Sequence, residues 1–416
     1  MNNKIGYFFK QMRFVKVGDI FSFFFYVFAV PFSWIIRKKY GPFWLVCERK
    51  NEARDNGYCF FKYIKNNHPE VKAYYAITKK SQDYTKVADI DKKSIINFGS
   101  FKHWVYYLAA DINISSQKEG KPNAAVCHFL EIYGLRKNRR VYLKHGIVKD
   151  DLKWHYFDVM KVWLYICASK REYNYVLERF GYPESTLALT GLARYDYLQT
   201  FSYNKKSILI MPTAREWLSR PIKEYTKYDD IMHFKNTEFY TNWYSFLTNP
   251  TFQKLVSDNG ISVVFFLHPN MQKYKEYFGT INNIKVATNA DFDIQDLIKE
   301  FGCLITDFSS VFFDFAYMKK PLVYFQFDYE KYREGHYQEG YFSYEKDGFG
   351  PVCYDSQSVV DSITKIIENN FKIDADYLQR IVNFYEFFDD KNCERIFNSI
   401  VNKRLLERKA KKRKYE

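Results

Sequence analysis

From residue 42 onward, short apolar runs alternate with stretches of helical spacing, in two series separated by a polar, aromatic segment. This alternation is the mark of βαβ units and parallel sheets. The first series predicts strands at Phe43 to Cys47, Ala73 to Ile77, Ser94 to Asn97, Ile112 to Ser115, Val141 to Leu143 and Leu164 to Ala168. The second predicts Ser207 to Met211, Ile261 to Leu267, Ile284 to Ala287, Cys303 to Thr306 and Leu322 to Phe325. Between them TGLARYDYLQTFSYNKK (190–206) reads as the linker, and two Rossmann-like halves joined there would form a cleft at the carboxyl ends of both sheets. From Asp374 to Lys409 the chain has almost no breakers, and Leu378, Ile381, Val382, Tyr385 and Phe388 keep helical spacing, so one or two closing helices are expected. No internal repeat is evident.

Length agrees: 416 residues suffice for two domains of roughly 150 residues with an appendage. With 47% hydrophobic residues and only 17 Gly and 11 Pro, low-complexity and collagenous classes are excluded. The 37 Tyr and 40 Phe exceed what a core needs, so some are expected to face a membrane, a partner or a substrate cleft.

The net charge of +15 first suggests a nucleic-acid binder, but the charge sits at the ends. Residues 1–50 carry +7 and residues 403–416 carry +6, leaving +2 on the 352 residues between them. A nucleic-acid groove needs cations on the folded body, whereas basic ends beside an apolar segment suit an anionic membrane surface. That segment is Ile20 to Ile36, 17 apolar residues with Lys10, Arg13 and Lys16 before it and Arg37, Lys38 and Lys39 after it. It is short for a span, Pro31 interrupts it, and its even flanks give no orientation, so a monotopic helix in the membrane interface is the first reading. A cleaved signal peptide and a buried core helix are the alternatives. The KKRK run at 411–414 is most simply a solvated tail. Seven cysteines with no CxxC or Cys/His ligand spacing speak against a disulfide framework and a zinc site, and place the folded body in the cytoplasm.

Four segments stand at predicted strand ends, where an open parallel sheet places its ligand. VYLKHGIVKDD (141–151) delivers His145 to a turn at Gly146, either as a structural histidine or as a general base. In ILIMPTAREW (208–217), Thr213 and Arg215 follow Pro212; an Arg beside a hydroxyl suits phosphate, and a helix cap with a surface Arg is the plainer alternative. VVFFLHPN (263–270) ends in His268, set by Pro269. CLITDFSSVFFDFAYMKKPLVYFQFD (303–328) reads strand, turn, helix, strand, with Asp307, Ser309 and Ser310 at the helix start, where an anion is favoured. Asp314, one turn on, either faces the same site or is a surface charge. GxGxxG, GxxxxGK[ST] and HExxH are absent.

Taken in this order, KHG (144–146), PTAR (212–215), HPN (268–270) and TDFSSVFFDFAYMKKP (306–321) resemble the CDP-glycerol:poly(glycerophosphate) glycerophosphotransferase family, enzymes that prime and polymerise wall teichoic acid and build related capsular polymers. TGLARYD (190–196) and YREGHYQEGYF (332–342) support the resemblance, and WLVCERKNEARDNGYCFFKYIK (44–65) is similar to the signature of a capsule-associated branch. The resemblance covers about residues 42–370. Two motifs depart from the family pattern: Ile147 stands where HG is usually followed by Thr, and PTAR replaces PTWR.

The resemblance implies a GT-B architecture, two Rossmann-like domains facing a central cleft. The implied divisions are a membrane-associating segment (1–40), an acceptor-side domain (41–200), a CDP-donor domain (201–373) and C-terminal helices with a basic tail (374–416). It implies transfer of an alditol phosphate from CDP-glycerol, or CDP-ribitol, to a hydroxyl of a lipid-linked or polymeric glycan, with release of CMP at the cytoplasmic face of the membrane. No cofactor is required and a metal is not obligatory. By the family pattern His145 matches the base, His268 matches the histidine that engages the donor pyrophosphate, and Arg215, Ser309 and Ser310 match donor phosphate contacts, with Thr213, Asp307 and Asp314 grouped beside them. The alternative enzyme is a GT-B glycosyltransferase using a nucleotide sugar. The alternative outside catalysis is a membrane-bound scaffold or nucleic-acid binder, for which the near-neutral middle of the chain is poor support.

Overall fold

All the strands expected from the apolar runs form, with ends shifted by a few residues, and in the computed structural model they build two parallel sheets. Residues 16–132, 134, 139–198, 203–219, 232–335 and 337–412 are described. In the first half lie β1 (Trp44–Cys47), β2 (Ala73–Ile77), β3 (Ile95–Asn97), β4 (Ile112–Ser115), β5 (Arg140–Tyr142), β6 (Asp150–Asp151), β7 (Leu164–Cys167) and β8 (Leu187–Leu189). In the second lie β9 (Asn204–Met211), β10 (Ser262–Phe266), β11 (Ile284–Ala287), β12 (Phe301–Thr306), β13 (Leu322–Phe325), β14 (Gln338–Glu339) and β15 (Val352–Cys353). The sheet orders are β3-β2-β1-β4-β5-β7-β8 and β11-β10-β9-β12-β13-β15, while β6 and β14 pair antiparallel as a separate ribbon joining the two halves. The sequence pattern did not show β8, β15 or the ribbon, because two or three residues carry no readable period.

Both sheets turn back on themselves beside their first strand. The order runs outward from β1 through β2 and β3 on one side and from β4 on the other, and β9 is flanked by β10 and β12 in the same way. The crossovers on the two sides of such a point cover opposite faces and leave a crevice at the carboxyl edge, where ligands bind in open α/β sheets. Strand β9 shows how fully the sheets are covered. Ile208 and Ile210 enter one apolar layer with Trp243 and Phe265, while Leu209 and Met211 enter the opposite layer with Phe312 and Tyr324. Burial on both faces is why these strands read as unbroken apolar runs.

The helices that matter below are α1 (Val17–Tyr40), α2 (Asn56–Asn67), α3 (Phe101–Ala109), α4 (Lys170–Glu178), α5 (Phe312–Tyr317), α6 (Ala375–Phe384) and α7 (Asn392–Lys412). The closing helices divide their packing. Helix α6 sends Ile381 and Phe384 into the core around Phe313, and α7 sends Cys393, Ile396 and Ile400 among Trp44, Phe60 and Ile114 of the first sheet. The chain therefore returns to its first half before it ends.

The expected linker is corrected in its first part. Ala193, Arg194 and Tyr195 are buried in a short 3-10 turn, and Asn204 to Lys206 belong to β9. Tyr195 stacks on Tyr317 at 4.0 Å and Arg194 is paired with two buried carboxylates, so polarity here marks a satisfied interior rather than a solvated connection. Residues 199–202 of this segment lie outside the described residues.

Helix α1 extends the expected apolar segment by a few residues at each end and is not a core helix: only Ala29 and Ser33 are buried, while Phe21 and Trp34 are 66% and 71% exposed. By length and composition it could cross a membrane. One stripe lies on α3, with Phe25 and Phe32 against Phe101 and Tyr26 against Trp104. Asp19 accepts from Asn123 at 2.8 Å near its start, and Arg37 donates to the Ala109 and Ala110 carbonyls near its end. The docked stretch between Asp19 and Arg37 is about 27 Å long at the α-helical rise. Lys10, Arg13, Arg413 and Lys414 lie outside the described residues.

Candidate active site

His145 follows β5, and its side chain remains 66% exposed although its neighbours are buried. Its Nδ1 lies 2.6 Å from Asp55 Oδ2. Asp55 is the N-cap of α2, immediately beyond the β1 edge, and its other oxygen accepts the Asn56 N–H at 2.7 Å and the Arg194 Nη1 at 2.9 Å. Gln117, beyond the end of β4, donates to Asp55 Oδ2 at 3.1 Å. The pair thus stands on the switch point between β1 and β4, with its histidine after the neighbouring strand β5.

The electrostatics follow from these contacts. Burial pushes the Asp55 carboxyl up, but His145 and Arg194 outweigh it and hold the group below its ordinary value. Asp55 in turn raises the His145 pKa, against the opposing effect of desolvation. With Nδ1–H donated to Asp55, the Nε2 lone pair is the one left to take a proton. If His145 is the base that the resemblance implies, it must be unprotonated to act, and turnover is then expected to fall as pH drops through a value above the ordinary histidine value of about 6.5. Asp55→Asn is expected to move that acidic limb to lower pH and to lower the plateau. A pH–rate profile of CMP release checks it; an unmoved limb would separate Asp55 from the titration.

Two further groups brace the dyad. Arg194 bridges Asp55 in the first half to Asp314 on α5 in the second, with Nη2 2.9 Å and 3.0 Å from the two Asp314 oxygens, and it also donates to the His145 carbonyl. Burial raises the Asp314 pKa, with Arg194 opposing. Glu48, wholly buried just after β1, accepts the N–H groups of Arg54, Asp55 and Tyr58 and so anchors the start of α2; burial and nearby Asp55 push its pKa up to about 8.

Gly146 stands where a side chain would be crowded. A Cβ there would lie 3.1 Å from Ser310 Oγ, so the loop carrying His145 meets the turn after β12 almost in contact. Lys144, just before His145, has φ of 63°, a left-handed conformation costing a non-glycine residue about 1–2 kcal/mol. His268 caps the 3-10 turn after β10, and its Nδ1 accepts the Asn270 N–H at 3.2 Å, which puts the proton of a neutral ring on Nε2. Strands β10 and β12 flank β9, so His268 and the Ser309–Ser310 turn share one edge about two strand spacings, ~10 Å, apart. Ser309 Oγ accepts the Val311 N–H at 3.4 Å, and the Val311 N-cap of α5 has no side-chain cap.

Arg215 and Asp314 are both buried and ion-paired, so Asp314 is not a surface charge and Arg215 is not a surface Arg. Arg215 is 0% exposed: Nε and Nη2 fork onto Asp328 at 2.7 and 2.8 Å, and Nη1 reaches Asp307 at 2.9 Å and the Thr213 carbonyl at 2.7 Å. Asp307 also accepts the Thr213 N–H at 2.8 Å and the Phe308 N–H at 2.6 Å. The guanidinium therefore ties the turn after β9 to the turn after β12. Asp314 is occupied by Arg194. The residues that sequence reasoning missed are Asp55, Gln117 and Arg194; Asp55 lies within WLVCERKNEARDNGYCFFKYIK (44–65) and Arg194 within TGLARYD (190–196), but nothing in their spacing joins three loops from distant parts of the chain.

Comparison with known proteins bears on the whole chain. Residues 28–402 match the model of the CDP-glycerol:poly(glycerophosphate) glycerophosphotransferase family. The minor teichoic acid biosynthesis protein GgaB of Bacillus subtilis (strain 168) is 31% identical over 369 residues, 86% of this chain and 40% of that protein. The teichoic acid poly(glycerol phosphate) polymerase of the same organism is 23% identical over 363 residues, 83% of this chain and 46% of its own. The chain thus spans less than half the length of these two relatives. Among solved structures, a variant of the wall teichoic acid polymerase TagF superposes with a TM-score of 0.65 over 95% of this chain and all of that one, at 14% identity. MnaA of S. aureus, solved with UDP, superposes at 0.53 over 86% and 95% of the two chains, at 13% identity. The match of the family's model along nine-tenths of the chain, on a parallel-sheet α/β fold of that type, makes this chain a member of the CDP-glycerol:poly(glycerophosphate) glycerophosphotransferase family.

Proposed function

We propose that the protein transfers glycerol phosphate, or a related alditol phosphate, from a CDP-activated donor to a hydroxyl of a teichoic-acid-like or other surface-glycan acceptor, releasing CMP. The observation that carries this reading is the approach of the loop bearing the Asp55-braced His145, through Gly146, to Ser310 of the second half. We read the two sheets as the facing halves of a GT-B cleft, with the acceptor on the first and the donor on the second.

In this mechanism His145 Nε2 takes the proton of the acceptor hydroxyl as its oxygen attacks the β-phosphorus of CDP-glycerol. The new P–O bond forms, the bond to the CMP oxygen breaks, and CMP leaves with the electron pair. Phosphoryl transfer of this kind depends on positioning and on neutralising oxyanions. His268, as an Nε2–H donor, and the Ser309 and Ser310 hydroxyls would supply hydrogen bonds to the pyrophosphate. Arg215 acts from behind, holding the Thr213 and Phe308 turns through Asp307. Incubation with CDP-glycerol and a glycerol phosphate oligomer tests the reading: CMP release is expected, with CDP-ribitol as the second donor. Release of a nucleoside diphosphate from a nucleotide sugar instead would favour the glycosyltransferase alternative.

The exposed face of α1 supports attachment to a membrane surface, in line with a lipid-linked acceptor. Because the helix is docked on α3 between Asp19 and Arg37, crossing the bilayer would drag that part of the domain with it, so a helix lying in the interface of the cytoplasmic face fits better. Lys16, Lys38 and Lys39 at its ends would each contribute about 1 kcal/mol beside anionic lipid. Changing Phe21, Phe24 and Phe28 together to Ser is expected to release the protein from anionic vesicles in a sedimentation assay while CMP release with a soluble acceptor persists. Unchanged sedimentation would refute the assignment of this face.

A further inference from the structure

We propose that Lys144 and Glu172 are positioning residues that clamp the loop bearing His145 and thereby aim its Nε2 at the acceptor hydroxyl; this rests on the reading of His145 as the base. The geometry grips the loop on both sides of the histidine. The Lys144 side chain is 1% exposed and Glu172 is 0% exposed, and the ammonium is ion-paired to Glu172 Oε1. The same oxygen accepts the Val148 N–H at 2.7 Å, three residues beyond His145, while Oε2 accepts the Ala168 N–H at 2.8 Å at the end of β7. Glu172 thus holds residues 144 and 148 together and fastens both to the neighbouring strand.

Glu172 is itself fixed. It lies in the first turn of α4, and its N–H donates to the Ser169 N-cap hydroxyl at 3.2 Å. On the opposite side of the loop, Asn56 donates to the Lys144 carbonyl at 2.8 Å and accepts the Arg194 N–H at 2.9 Å. Lys144 is one of five described non-glycine residues with positive φ, and it adjoins the base. A strained residue persists when its surroundings over-determine it, and strain collects where a side chain must be aimed. If Lys144 merely filled the core, an apolar residue would avoid burying a charge. The ion pair has a use in this place because pulling the ammonium toward α4 holds the backbone in the conformation that turns His145 outward.

The test is the paired variant Lys144→Met/Glu172→Gln, which removes both charges and keeps one side-chain oxygen for the Val148 N–H. Steady-state CMP release is expected to show kcat reduced about 10- to 100-fold. KM and calorimetric affinity for CDP-glycerol should stay at the parent values, while the melting temperature falls, because a Gln at 172 has one acceptor for the Val148 and Ala168 N–H groups. A merely structural pair would not split kcat from donor binding in this way. Should the paired variant fail to fold, Lys144→Arg, which keeps the buried charge balanced but changes the length of the tether to Glu172, is read by the same split. Parental kcat in a folded variant overturns the proposal, as does an equal loss of kcat and donor affinity. If His145→Ala keeps its turnover, the assignment of the base is what fails; if His145→Ala is inactive and the paired variant is not impaired, only the clamp fails.

Discussion

Replacing His145 by alanine is expected to lower CMP release by about 10²- to 10⁴-fold, the usual contribution of a positioned general base, while calorimetric affinity for CDP-glycerol stays at the parent value. The separation follows from the geometry. His145 belongs to the first sheet and is held by Asp55, whereas Thr213, His268, Ser309 and Ser310 stand on the second. Loss of the imidazole leaves Asp55 paired with Arg194 and with the Asn56 N–H, so no buried charge is abandoned and the fold should survive. Ser310 Oγ lies 3.1 Å from the Cβ position at Gly146, so Gly146→Ala should also slow turnover, by crowding this contact. A folded His145→Ala protein with parental turnover would remove the base from the mechanism.

The largest effect on stability is expected at Arg215. Arg215→Met should destabilise the protein by about 3–5 kcal/mol, because it leaves Asp307 and Asp328 buried without their shared cation. Both carboxylates lie in the interior, at 0% and 5% exposure, so water cannot replace the guanidinium. Burial works against the charge of Arg215, but Asp307 and Asp328 prevail and strengthen its hold on the proton. Arg215→Lys keeps the charge but cannot fork onto Asp328, and should fall between the two. Denaturant unfolding monitored by circular dichroism checks this. If Arg215→Met instead has parental stability and a raised KM for CDP-glycerol, the side chain contacts the donor, as the family pattern suggests.

Arg215 and His145 show how differently two motifs could be read. KHG proclaimed its place: a strand end, then a glycine, with the histidine between. PTAR looked the same, and the hydroxyl beside an Arg suited phosphate equally well. What separates them is the pair of carboxylates that meets Arg215, one of which, Asp328, comes from beyond β13, more than a hundred residues later. Asp55 was missed for a related reason. Its neighbours describe an ordinary helix start, and its second use appears only when β1 and β5 are brought into one sheet with β4 between them.

The sequence alone determined the class of fold and eleven of its strands, and so the loops at their ends, because burial on both faces of a parallel strand imposes an apolar run that can be seen locally. It also marked α1, since a helix with so little of its surface buried must show apolar residues to its surroundings. Only the tertiary structure decided the strand order, and with it which loops lie side by side. It decided that Arg194 is an interior bridge and not part of a linker, that Arg215 faces inward, and that Glu172 reaches back to Lys144. The physical reason is that a charged side chain has no preference readable from its own neighbourhood in the chain. Its role is set by which opposite charges folding brings within about 3 Å, and those come from segments far away in sequence.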